Sequence, residues 1–323
     1  MEFSNLLSFE FNPQFWHNVV HLIGLMFLAT LGVNIFKTIL NLTFWNAYDL
    51  KTDKKDQWAV VTGASDGIGK EFALQLALKG YDIVLLARSE DKMNEIAAKI
   101  KKLGHESIVY KFDFANATEK DWEKLADKLN SLDVKVLVNN VGVSHDFPVS
   151  FLEEDTERIE RIMQVNVHSL MKMCRIVIPQ MVEKKRGLVL NMGSMSGKIP
   201  SGLLSTYAAS KAFVSSFSQG LAMEVHKQGV HVEHVNLYFV QTAMSKIRKS
   251  SFFVPTPRKF VASVLHSCGS SINSTPYAPH ALINFVLDWF VPETFKIDSS
   301  YTMHQEIREK ALKKKLREAK KDQ

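Results

Sequence analysis

The 323-residue sequence predicts an α/β fold, a doubly wound parallel sheet, with an N-terminal transmembrane helix ahead of it. Three observations carry that prediction. No Asp, Glu, Lys or Arg occurs from Phe11 to Phe36. From residue 57 onward, short apolar runs alternate with amphipathic stretches. The first of those runs leads directly into a glycine-rich turn, "TGASDGIG" at 62–69. The composition agrees, since 46% hydrophobic and 23% charged residues are those of a chain that fills a core.

The N-terminal elements come first. Residues 1–18 read as a short lumenal leader, 19–36 as the membrane anchor and 37–56 as a linker. Val19–Phe36 is almost wholly apolar and long enough to cross a bilayer. A cleaved signal peptide is disfavoured, because Glu2 and Glu10 precede the run and no basic residue does. Lys37, Lys51, Lys54 and Lys55 follow it, so the positive-inside rule puts the remaining chain in the cytosol. Trp16 and Trp45 flank the run as interfacial aromatics would. The sequons at Asn41, Asn116 and Asn273 are then expected to carry no glycan. With only Cys174 and Cys268, the chain has neither a disulfide framework nor a metal-ligand spacing, and no metal is expected.

The sheet follows. Strand-like runs are "WAVVTG" (58–63), "DIVLLA" (82–87), "SIVYKF" (107–112), "VKVLVNN" (134–140), "GLVLNM" (187–192) and "VHVEHVNL" (230–237). Helical stretches at 68–79, 90–102, 119–131, 156–185 and 205–228 separate them. Repetition of strand, helix and strand implies a parallel sheet with helices on both faces, and strands apolar nearly throughout fit one. The domain is placed at 57–270. Residues 271–300 form an apolar lid or membrane-associated segment. Within it, "HALINFVLDWFV" (280–291) fits an interfacial or re-entrant segment or the cover of an apolar channel, with core packing an equal alternative. Residues 301–323 form a basic tail: 308–323 hold eight Lys or Arg against three acids, most of the net charge of +6. That confinement to a tail argues against nucleic-acid binding.

Chemistry enters at the strand ends. Gly63, Ser65, Asp66, Gly67, Ile68 and Gly69 lie between a strand and a helix, where backbone N–H groups and the helix dipole bind a pyrophosphate. Arg88, closing the second strand, suits a ribose 2′-phosphate and so argues for NADP(H) over NAD. In "YAASK" (207–211), Tyr207 and Lys211 are four residues apart and share a helix face. A fixed cation there would draw the tyrosine pKa down from about 10 toward the working range of a general acid.

Taken in order, "TGASDGIG", "NNVG" (139–142), "NMGSMSG" (191–197) and "YAASK" resemble the short-chain dehydrogenase/reductase family over residues 57–270, which implies a Rossmann-type fold. The resemblance implies a catalytic set of Asn166, Ser194, Tyr207 and Lys211, with Ser194 and Tyr207 touching substrate. It also implies that Asp113 contacts the adenine, that Asn139 and Asn140 run beside the cofactor, and that Val240 and Thr242 close over the nicotinamide. Where the family commonly has Pro-Gly before that last loop, this chain has Tyr238-Phe239.

A finer resemblance, to the microsomal very-long-chain 3-oxoacyl-CoA reductases related to 17β-hydroxysteroid dehydrogenase type 12, rests on "NNVGVSHDFPVSFLE" (139–153) and "YFVQTAMSKIRKSSFFVPTPRKFV" (238–261). It implies NADPH-dependent reduction of long-chain 3-oxoacyl-CoA in fatty acid elongation at the endoplasmic reticulum, with other members of an elongase complex as partners. Lys246, Arg248, Lys249, Arg258 and Lys259, beside Phe252 and Phe253, could hold CoA phosphates; a solvated or lipid-facing basic patch is the alternative. The terminal "KKDQ" looks like a dilysine retrieval signal on a cytosolic tail. A steroid or retinoid dehydrogenase would share every catalytic residue. A non-catalytic NADP(H)-binding scaffold would have no need of all four.

Overall fold

The computed structural model describes residues 12–43 (37–43 as helical backbone only), 48–52 and 56–319, in two compact units that divide between Phe44 and Trp45. The first unit is helix α1, Pro13–Thr43. Within it, Pro13–Phe36 is long and apolar enough to cross a membrane, with a mean hydropathy of 2.1. The helix starts ahead of the expected anchor at 19. The cause is local: Asn12 Oδ1 accepts from Gln14 N at 3.0 Å and Phe15 N at 3.1 Å, and Pro13 supplies a helical φ at the first position. Glu2, Glu10, Trp45, Lys54, Lys55 and the "KKDQ" signal lie outside the described residues.

The second unit is built on seven parallel strands: β1 Gln57–Thr62, β2 Asp82–Ala87, β3 Ser107–Lys111, β4 Asp133–Asn139, β5 Gly187–Met192, β6 Val230–Val235 and β7 Asn273–Ser274. Their order is β3-β2-β1-β4-β5-β6-β7. The chain turns back from β3 to β4 on the far side of β1, so β1 and β4 flank the switch point at which α/β sheets bind ligands.

Alternation along the strands divides the core. Ala59 and Val61 of β1, with Ile83 and Leu85 of β2, face one layer. It is filled by Phe72 and Leu76 of α2 (Gly67–Ala77), Ile96 and Ile100 of α3 (Glu90–Lys102) and Phe260 and Val264 of α8 (Pro257–Ser267). Val60, Val84 and Leu86 face the other. It holds Trp122 and Leu125 of α4 (Glu119–Asn130), Met173 and Val177 of α6 (Ser169–Glu183) and Val214 of α7 (Ser205–Val225). Period-two side-chain alternation gives each strand two buried faces, as its unbroken apolar sequence requires.

The chain beyond residue 270 departs from the expected segments. β7 joins the sheet beyond 270, and Ser274 donates to the buried Glu233 carboxylate of β6, which also accepts from Gly269 N at 2.6 Å. Helix α9, Ala278–Phe290, buries Pro279, His280 and Ala281 and leaves Leu282, Val286 and Phe290 exposed. The expected basic tail is part of a long helix, α10, Glu293–Ala319, which crosses the boundary drawn at 300. It lies against two loops: Arg308 pairs with Glu153 at 2.6 Å and donates to Pro148 O at 3.3 Å, and His304 Nδ1 meets Gly202 O at 3.0 Å.

Candidate active site

The end of β1 is tied to the end of β4 before any ligand is considered. Thr62 Oγ1 accepts from Asn140 N at 2.9 Å and Val141 N at 3.0 Å. Asn140 Nδ2 returns bonds to Thr62 O at 3.0 Å and Gly63 O at 3.3 Å. Gly63, at φ +65°, takes a left-handed conformation that suits glycine. A Cβ at Gly69 would lie 2.2 Å from Gly63 O, so helix α2 can begin this close to the strand only with glycine there. Asp66 caps the helix, accepting from Gly67 N at 2.7 Å. The result is a helix N-terminus opening on a cleft of about 690 Å³.

Gly63, Ser65, Asp66, Gly67 and Ile68 form one wall of that cleft. Arg88 lines it with Ser89 and Lys92, and Asp113 lines it too. Asp113 is oriented by Ala115 N at 3.1 Å and Asn116 Nδ2 at 2.9 Å. Tyr207, Lys211, Asn140 and Thr242 also reach it. Two cations beside a helix N-terminus make a shape and charge that fit a phosphorylated dinucleotide. Lys92 belongs to no sequence motif, and its spacing of four from Arg88 is its local signal. Arg161, on α5 (Thr156–Met163), is a further unforeseen cation on the wall.

Three residues expected at the cofactor are not among those lining the cleft. Asn139 is buried and bridges the sheet, its Nδ2 donating to Asn191 Oδ1 at 2.9 Å and lying 3.4 Å from Cys174 Sγ. Val240 packs in the core, and Gly69 serves the close helix approach rather than the wall. Strand alternation explains Asn139, since it is the last residue of β4 and its neighbour Asn140 takes the cleft side.

Tyr207 and Lys211 lie on the first turns of α7 with Lys211 Nζ 6.0 Å from the Tyr207 ring centroid. Lys211 is 7% exposed, and its Nζ donates to Met192 O at 3.0 Å. Burial lowers its pKa to about 8. Burial also raises the Tyr207 pKa, opposed by the hydrogen bond with Ser194. This differs from the expected lowering by Lys211. Desolvation acts on both groups and favours neutral tyrosine and neutral lysine alike. Ser194 Oγ also accepts from Ser196 N at 3.2 Å, which fixes it beside the phenol.

Asn166 sits in a π-helical turn, Gln164–His168, between α5 and α6. Its Oδ1 accepts from Val143 N at 2.8 Å, and its Nδ2 donates to Val143 O at 2.9 Å and Ser210 Oγ at 3.0 Å. A Cβ at Gly142 would lie 3.4 Å from Asn166 Oδ1 and 3.6 Å from Lys211 Nζ, so both side chains converge on that glycine. Asn166 and Ser194 are not among the residues lining the cleft, and Ser194 is hydrogen-bonded to Tyr207, which is. Of the basic residues near 250, Lys246 is engaged, its Nζ donating to Asp146 O at 2.6 Å, while Arg248, Lys249, Phe252 and Phe253 are exposed. No metal-binding cluster occurs among the described residues.

The short chain dehydrogenase family profile matches residues 57–251. The chain is 41% identical to a very-long-chain 3-oxoacyl-CoA reductase of Pyricularia oryzae, over 93% of each chain. It is 44% identical to one of Coprinopsis cinerea, over 83% of this chain and 82% of that one. Its fold is similar to that of a short-chain dehydrogenase from Sphingobium yanoikuyae solved in complex with NADPH, with a TM-score of 0.64, 26% identity and coverage of 72% and 92%. Sheet order, glycine turn and the Tyr207–Lys211 pair lead to the same place as these similarities: the chain belongs to the short chain dehydrogenase family.

Proposed function

We propose that this protein is an NADPH-dependent reductase of very-long-chain 3-oxoacyl-CoA, forming the 3-hydroxyacyl-CoA in fatty acid elongation. The observation that carries the reading is similarity along nearly the whole chain to reductases of that name, together with Tyr207 hydrogen-bonded to Ser194 beside a dinucleotide-shaped cleft. Arg88 and Lys92 would hold the 2′-phosphate and the turn from Gly63 to Ile68 the pyrophosphate. When bound, NADPH supplies hydride to the substrate carbonyl carbon.

The chain's own residues do the rest. Burial keeps Tyr207 protonated at neutral pH, so the phenol is loaded to give its proton to the carbonyl oxygen. Ser194 donates to that oxygen as charge develops, a contribution of roughly 3 kcal/mol in comparable sites. Lys211, with a pKa near 8, exchanges protons close to working pH and returns one toward Tyr207. Asn166 holds Val143 and Ser210 around that lysine and contributes position rather than charge.

Helix α1 anchors the enzyme in the endoplasmic reticulum membrane with the reductase unit cytosolic, close to where long acyl chains partition and other elongase subunits reside. Protease accessibility in sealed microsomes, and absence of glycan at Asn116 and Asn273, test that orientation. Detergent-purified protein is expected to oxidise NADPH with a long-chain 3-oxoacyl-CoA, and Tyr207→Phe to abolish turnover. Turnover of 17-keto steroids without acyl-CoA activity would keep the chemistry and move the substrate; silence with both would refute the enzyme reading.

A further inference from the structure

We propose that His145 and Glu154 are positioning residues for Tyr207, a buried pair that holds the first turn of α7 through Thr206. His145 lies in the loop after β4, and Glu154 closes that loop just before α5. Their side chains are each 1% exposed, with His145 Nε2 2.5 Å from Glu154 Oε1. The other carboxylate oxygen accepts from Thr206 Oγ1 at 2.8 Å. Thr206 immediately precedes Tyr207.

Helix α7 needs such a partner. Its N-cap residue, Leu204, gives no side-chain cap, and its first turn contains no acid. Leu203 before it takes a left-handed φ of +65°, unfavourable for a branched residue. A helix start is stabilised by negative charge and by acceptors for its free donors. Glu154 supplies that charge from another segment, and Val149 N adds a bond to Leu203 O at 2.8 Å. A carboxylate this deeply buried is stable only with a partner, which His145 provides. His145 Nδ1 is buried without a hydrogen-bond partner among the described residues, so the ring's hydrogen bonding goes to Glu154. The bonds run from the loop after β4 to the residue beside the proton donor. They fix where the phenol stands without touching substrate.

The kinetic test rests on the reductase reading and uses the full chain in detergent. Thr206→Val removes the hydroxyl at nearly constant shape, and Glu154→Gln weakens its acceptor. Each is expected to lower kcat about tenfold, the loss of one hydrogen bond to a charged group, with the Kd for NADPH measured by nucleotide fluorescence unchanged. The double variant should fall no further than either single one, and Thr206→Ser should restore turnover to within about twofold. Unchanged kcat in Thr206→Val, a multiplied loss in the double variant, or no rescue by serine would overturn the proposal. Should the wild type reduce a different ketone, the same ratios are read with it. Should it reduce none, the functional reading fails separately. The Glu154–Thr206 coupling is then read from urea denaturation, where additive losses overturn the proposal and non-additive ones support it.

Discussion

Lys211→Met should make the protein inactive and more stable. In the folded chain the ammonium is buried, with its pKa lowered from 10.5 to about 8. At about 1.4 kcal/mol per factor of ten, that drop is a penalty of about 3 kcal/mol on the folded state when lysine is charged. The sign follows from proton binding. Below about pH 8 both folded and unfolded chains carry the proton, and the full penalty applies. Between about 8 and 10.5 the folded chain gives up its proton first, so stability rises with pH and the penalty fades. Methionine fills a similar volume without charge, but leaves Met192 O without its bond from Nζ, a loss of about 1 kcal/mol. The net gain at pH 7 is about 2 kcal/mol, or a Tm higher by about 4–8 °C for a domain of this size. The assay is paired thermal melts of wild type and variant from pH 7 to 10.5. A variant less stable at pH 7, or an advantage that does not shrink through that window, would refute the argument.

Three further outcomes follow from the same geometry. Asn166→Ala strands the N–H and C=O of Val143 in a site where Asn166 is 2% exposed, and should lower stability by about 3 kcal/mol in urea denaturation; a loss below about 1 kcal/mol contradicts it. Glu233 has its pKa raised to about 7 by burial, against the hydrogen bonds from Ser274 and Gly269. Its contribution is therefore full below pH 4.5 and lost as pH rises toward 7, and Glu233→Gln should flatten that part of the stability profile. An identical slope in the variant would disprove the assignment. Arg88→Ala should weaken NADPH binding about 10- to 100-fold while changing NADH binding little, as titrations of each nucleotide would show; equal losses would remove Arg88 from the 2′-phosphate.

The sheet was legible because its strands are apolar on both faces and punctuated by glycine, so strand and helix periods separate cleanly in the sequence. Tyr207 and Lys211 were legible for a similar reason, since helical spacing alone places them on one face. The π turn at Asn166 was not, because it arises from long-range bonds to Val143 and Ser210 that no local pattern encodes. Asn139 and Asn140 show the limit at a strand end. Adjacent identical residues point to opposite sides, and only the sheet decides which faces the cleft. The direction of the Tyr207 pKa depends on how deeply both it and Lys211 are buried, which spacing cannot report. Helix α10 was hidden by its charge, which reads as a solvated tail until Arg308 and His304 find the loops they bind.

That last contact sets an order of events during synthesis. Arg308 is 155 residues downstream of Glu153 and 160 downstream of Pro148. At about 5–20 residues per second, roughly 8–30 s of translation separate the loop from the helix that fastens it. Strands β1 to β4 precede the loop, and β5, β6, β7 and Tyr207 are made within that interval. The nascent chain can therefore complete most of its sheet while the loop bearing His145 and Glu154 is still without Arg308. A ribosome stalled before residue 308 would display Tyr207 and Lys211 beside a loop not yet fastened to α10.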